Sequence, residues 1–235
     1  MSMLRCDDLQ SVLVLAAHAD DEAVGCAGLM AKLTGRGCRM HVVYLAVDGF
    51  HHYGIDRETT YAERVAELTA VNDLLGCTSQ VVYGDEDLIE KLDTLPRRAL
   101  VDLFEQQINA HRPDLLLLPY GVDYDQDHVA VFKAGFAAAR PIPSAQGKWL
   151  VPHVLTYEMT KLNWASEPLP RPVAYCDLSG GELHVKLQAV RLYATQLRPS
   201  PHIRSLESIT ALATVRGAEI GVTYAEAFGV LRTVV

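Results

Sequence analysis

The sequence predicts an α/β fold: a Rossmann-like, mostly parallel sheet with helices on both faces, in a single domain over 1–235. Three observations carry this. Apolar runs of strand length alternate with amphipathic helical patterns. The runs SVLVLAA and DLLLLPY show no polar alternation, as expected of strands covered on both faces. A chain of 235 residues with 49% hydrophobic and 21% charged content can bury one substantial core, and no repeat, low-complexity stretch or linker divides it.

The elements follow in order. Strands are expected at Ser11 to Ala17, His41 to Val47, Ser79 to Tyr83 and Asp114 to Tyr120. Between them, a helical pattern over Ala23 to Leu33 stops near Gly35 and Gly37. Thr60 to Leu75 sets Tyr61, Val65, Leu68, Val71 and Leu75 on one face and ends at Gly76. Arg97 to His111 is bracketed by Pro96 and Pro113. A further helix opens near His128 with Val129, Phe132 and Phe136 as its expected core face. ARPIPSAQGKW reads as a loop. His153 to Met159 and Pro172 to Leu178 read as strands, and Leu183 to Leu197 as a helix. A short helix and the apolar tail Tyr224 to Val235 close the chain.

A formal net charge of −8 argues against nucleic acid or an anionic membrane as the main partner. Five cysteines without a CxxC pair suit free thiols in a reducing cytoplasm. The opening MSMLRCDDLQ lacks the apolar core of a signal peptide, and no run approaches the ~20 apolar residues of a membrane span. A cytoplasmic protein is the expectation.

The chemistry gathers at two places. VLVLAAHADDEAVG runs from a buried strand directly into His18, Asp20, Asp21 and Glu22. Three adjacent acids repel one another, and burying any unpaired is costly. PYGVDYDQDHVAV repeats the design at the fourth strand, ending on His128. In a doubly wound sheet of order 3-2-1-4 these two strand ends are neighbours and flank the crevice where such folds place their sites. His18, Asp21 and His128 would then offer two imidazoles and a carboxylate, with a position left open, which suits a catalytic zinc. Other divalent metals accept the same donors. On the residues alone, helix capping by the acids and structural roles for the histidines stand beside this reading.

AHADDE closely resembles the AHPDDE signature of the LmbE-like (PIG-L) family of zinc-dependent N-acetylglucosamine deacetylases. Arg64, Glu67 and Leu68 followed by Leu75-Gly76, Pro113-Asp114, Asp127-His128, RGAEIG and YAEAFGV extend the resemblance over nearly the whole chain. It implies a Rossmann-like fold, with His18, Asp21 and His128 as zinc ligands and Asp20 as the general base. Asp125 and Asp127, in the second motif, join Asp20 as candidate catalytic residues. Arg64 resembles a substrate contact, Asp87 (or Asp85) a residue that binds sugar hydroxyls, and Glu22 a buried brace of the loop.

Two positions depart from the family. Ala19 replaces the usual proline, a small loss of loop rigidity. Asp125 stands where a histidine commonly polarises the amide or stabilises the tetrahedral intermediate. An ionised aspartate there would repel a developing oxyanion unless another group supplies positive charge. His51, His52 and Arg140 are the candidates, and Arg140 is counted with the substrate-binding residues. The implied activity is metal-assisted removal of an N-acetyl group from an amino sugar or sugar conjugate, a small-molecule substrate. Self-association is frequent in the family. The alternatives are an amidase acting on another conjugate, and a metal- or ligand-binding protein without turnover. Tyr53, Tyr61 and Trp164 are candidates for stacking on a sugar ring.

Overall fold

Along the first strand, β1 (Ser11–His18), side chains alternate between two cores. Val12, Val14 and Ala16 enter one, and Leu13, Leu15 and Ala17 the other. The computed structural model describes residues 8–51, 57–160, 164 and 172–234. Helices α1 (Asp21–Thr34), α2 (Tyr61–Leu75), α5 (Glu182–Leu192) and α6 (Leu206–Ile220) cover the first core. Helices α3 (Arg97–His111) and α4 (Gln126–Ala138) cover the second. Both faces of the central strands are therefore dry, which explains why these strands lack polar alternation.

The other strands are β2 (Arg39–Val47), β3 (Thr78–Gly84), β4 (Leu115–Pro119), β5 (His153–Tyr157), β6 (Ala174–Asp177) and β7 (Ala225–Thr233). Among the described residues they form one sheet in the order β3-β2-β1-β4-β5-β7-β6. The expected 3-2-1-4 order is present, and β3 to β5 are parallel. The apolar tail is not peripheral. As β7 it inserts antiparallel between β5 and β6.

Local signals hold at α2, where Thr60 and Glu63 form a capping box and Gly76 ends the helix at φ 65°. Helix α1 lies close to the sheet, and a Cβ on Gly25 would overlap the Tyr157 ring. Three helices depart from the sequence-based expectation. Helix α5 ends at Leu192 because the chain turns at Tyr193, whose buried hydroxyl donates to Glu22 at 2.6 Å. The last helix, α6, is 15 residues long. Helix α4 buries Val131, Ala134 and Ala138, while Phe136 is 54% exposed. Its inward face follows His128, and the i, i+3, i+6/i+7 positions from it meet the core.

At the far end of the sheet from the crevice, His41 stacks on His111 with ring centroids 3.9 Å apart. Nδ1 of His41 pairs with Thr78 Oγ1, and its Nε2 is buried without a hydrogen-bond partner among the described residues. Burial, then the neighbouring His111, pulls His41 from 6.5 down to about 4. The unfolded chain therefore binds the extra proton first as pH falls, so this residue costs stability progressively between those two values and nothing above 6.5. We expect His41→Gln to flatten the decline of Tm over that window. A slope identical to wild type would refute the assignment.

Candidate active site

β1 and β4 are adjacent, yet the helices that follow them leave to opposite faces, α1 to the first core and α4 to the second. The chain thus opens a crevice beyond the carboxyl ends of these strands, where doubly wound folds bind ligands. His18 ends β1, Asp21 opens α1, and His128 lies in the first turn of α4. The structure brings all three together, with one potential ligand atom from each within 4.8 Å of the others.

Each imidazole is held from behind. Nε2 of His18 pairs with Asp127 Oδ2 at 2.9 Å, which leaves Nδ1 toward Asp21 Oδ2 at 3.9 Å. Nδ1 of His128 pairs with Asp123 Oδ2 at 2.7 Å, which leaves Nε2 at 3.1 Å from Asp21 Oδ1. A carboxylate on one ring nitrogen orients the other and raises its basicity, the usual outer support of a metal-binding histidine. Asp127 is fully buried and also accepts the backbone N–H groups of Glu90 and Leu92, at 2.7 and 2.8 Å. It stands behind His18, outside the open crevice.

Burial alone would pull His128 down, but Asp21, Asp123 and Asp125 outweigh it and push the imidazole up to about 10. His18 is likewise raised, since Asp127 and the charges of Asp21 and Asp125 overcome its desolvation. A space whose field holds protons this firmly favours any cation. The donor set and its field therefore fit a divalent metal.

Asp20 is buried beside this cluster at φ 143°, a conformation that L residues rarely adopt. Its carbonyl accepts the Val24 N–H at 3.0 Å, but its carboxylate does not cap α1. That group lies 3.6 Å from Nε of Arg204. Arg204 comes from the segment just before α6, is held by Gln196 at 2.8 Å, and lines the crevice with His18, Asp20 and Asp125. The charge of Asp20 in turn favours the charged guanidinium.

The remaining expected residues separate. Arg64 lines the crevice, but its guanidinium donates to the Ala19 carbonyl, Glu67 and Thr195, clamping the His18–Asp21 loop. Glu22 is the buried brace, pairing with Tyr193 and pushed up to about 7 by desolvation. Asp87 sits on the loop after β3, its N–H on Asp48 and its exposed carboxylate on Lys91. Arg140 needs correcting. It lies beyond the carboxyl end of α4, paired with Glu105, about 20 Å of helix away from His128's turn. His51 is exposed, while His52 and Tyr53 lie outside the described residues. Trp164 is 78% exposed, and Tyr61 packs on the first core. Sequence reasoning missed Asp123 and Arg204. The acid run DYDQDH held a signal for the first, whereas no local pattern marks the second.

Residues 13–139 match the family model described as PIG-L, GlcNAc-PI de-N-acetylase, which is more than half the chain. The chain belongs to this family. A relative in Escherichia coli K12, called uncharacterized deacetylase YaiS, is 27% identical over 141 residues, 59% of this chain and 72% of its own. Two solved structures share the fold. The N,N'-diacetylchitobiose deacetylase of Pyrococcus horikoshii is 22% identical, with a TM-score of 0.67 over 95% of this chain and 84% of its own. GalB of Pseudomonas putida KT2440, a 4-carboxy-2-hydroxymuconate hydratase, is also 22% identical, with a TM-score of 0.75 over 96% and 98%. At such identities the likeness is one of fold. Among the described residues of this PIG-L chain, no helix is long and apolar enough to cross a membrane.

Proposed function

We propose that this PIG-L protein is a metal-dependent N-deacetylase acting on an amino sugar or sugar conjugate. The observation that carries the reading is the pair of carboxylate-braced imidazoles that both face Asp21, with Asp20 alongside. His18, Asp21 and His128 would hold the ion, zinc or another divalent metal. Such an ion acts as a Lewis acid that acidifies water and polarises a carbonyl.

The chain's own residues supply the rest. Asp20 accepts the proton of the attacking water at its carboxylate and can return it to the departing amine, so that acetate and a free amine leave. Asp127 and Asp123 are positioning residues that fix the two imidazoles. Arg204 faces the site where negative charge develops on the amide oxygen, the part that Arg140 was expected to fill. Arg64 holds the loop that carries Asp20.

For Arg204→Met we expect kcat to fall about 10²-fold with KM little changed, and Arg204→Lys to recover part of it. Equal loss in both variants, carried by KM, would refute the role. The reading as a whole is tested by acetate release from a panel of N-acetylated sugars and nucleotide sugars, with metal-loaded protein beside a chelated sample. Release that survives full metal removal would overturn it.

A further inference from the structure

We propose that Gln196 is a positioning residue that holds Arg204 off Asp20, so that the base and the guanidinium both stay available to the substrate. The inference rests on the deacetylase reading above and deepens it.

The separation itself needs explaining. Nε of Arg204 comes to 3.6 Å from Oδ2 of Asp20, and among the described residues no hydrogen bond joins the two side chains. A guanidinium beside a carboxylate ordinarily closes on it, at N–H···O distances of about 2.7–2.9 Å and often through two bonds. Asp20 is buried, so little water competes for its oxygens. An attraction this close, left short of contact, requires a restraint on one partner.

Gln196, itself 3% exposed, is that restraint. Its Oε1 accepts Nη1 of Arg204 at 2.8 Å, and its Nε2 donates to Thr195 Oγ1 at 3.2 Å. Thr195 dictates which way the amide points. Its hydroxyl has one proton and gives it to Glu67 Oε2 at 2.7 Å, so toward Gln196 it can only accept. The amide nitrogen therefore turns to Thr195 and the carbonyl to Arg204. A neutral carbonyl holds the guanidinium without cancelling its charge, which a carboxylate at this position would do.

The restraint is anchored on α2. Glu67 Oε1 accepts the Thr195 N–H at 2.7 Å, and Oε2 also accepts Nη1 of Arg64 at 2.6 Å. Arg64 in turn donates to the carbonyl of Ala19, the residue before Asp20. Both flanks of the charged pair are thus tied to Glu67: the loop of Asp20 through Arg64, and the segment of Arg204 through Thr195 and Gln196. Asp20, Gln196 and Arg204 line the crevice together. A closed pair would cover the oxygen that takes the proton of water and spend the charge that faces the amide oxygen. A displacement of ~1 Å in such a site can cost about 10²-fold in rate.

The test is a double-mutant cycle of Gln196→Met and Arg204→Met, read as kcat and KM for acetate release, with Tm as the check on folding. Methionine keeps the length of glutamine but can neither hold the guanidinium nor meet Thr195. We expect Gln196→Met alone to lower kcat at least tenfold with KM little changed, and to cost nothing further in the Arg204→Met background. An equal loss in both backgrounds would mean that Gln196 acts through packing, and would overturn the proposal. A second readout needs no substrate: the Arg204 Nε–H resonance, assigned by its absence from Arg204→Met. In Gln196→Met it should move downfield as the guanidinium closes on Asp20, and an unmoved resonance would overturn the proposal. A wild type that releases no acetate from any substrate of the panel overturns the deacetylase reading instead, while the resonance still decides the role of Gln196.

Discussion

Asp20→Asn is expected to lower kcat for acetate release about 10³-fold, some 4 kcal/mol in barrier height, while leaving metal content and Tm close to wild type. The separation of effects follows from the geometry. The carboxylate makes no cap to α1, so the helix does not depend on it, and its charge faces the crevice and Arg204. Asparagine is among the non-glycine residues that best tolerate positive φ, so the φ 143° backbone should persist. What the variant lacks is a base. Turnover within tenfold of wild type would remove Asp20 from the proton-transfer role, whatever metal is bound.

Glu226→Ala is expected to be the most destabilising single change away from the crevice. Oε1 of Glu226 accepts Lys186 Nζ at 2.7 Å and the Gly28 N–H at 2.9 Å, and Oε2 accepts the Leu29 N–H at 2.7 Å. Lys186 and Glu226 are 4% and 5% exposed, so truncation strands an ammonium in the core. Losing one partner of such a pair costs about 3–5 kcal/mol, a fall in Tm on the order of 10 °C for a chain of this size. The pair ties β7 and α5 to α1, the helix that carries Asp21, so the loss also loosens the support of the site. Adding Lys186→Met to Glu226→Ala should restore much of the stability by removing the unpaired charge. No recovery in the double variant, measured by thermal unfolding, would mean that the pair is not the source of the effect.

Much of this molecule is written in local pattern. The strand ends that carry His18 and His128 announce themselves by acids placed where an apolar run stops, and the 3-2-1-4 order makes them neighbours. The caps at Thr60 and Gly76 follow from side-chain chemistry within one turn. Helix α4 was harder. Its phenylalanines look like the inward face, but burial of His128 against Asp21 and Asp123 rotates the helix so that small residues meet the sheet and Phe136 faces out. Arg140 was misplaced for a related reason: it follows the second motif in sequence, but a full helix carries it away from the crevice.

The strand–helix alternation, the two motif-bearing strand ends and the family are legible along the chain, because each depends on short-range periodicity and on residue types at fixed spacing. Which carboxylates brace the imidazoles emerges only on folding, since Asp123, Asp125 and Asp127 are near neighbours in the chain, yet Asp123 meets Nδ1 of His128, Asp125 lies on the Nε2 side of the same ring, and Asp127 meets His18. Folding alone brought Arg204 to Asp20 from the segment before α6. Charge pairing across a crevice acts through distance in space, and nothing in the neighbourhood of either residue along the chain encodes that distance.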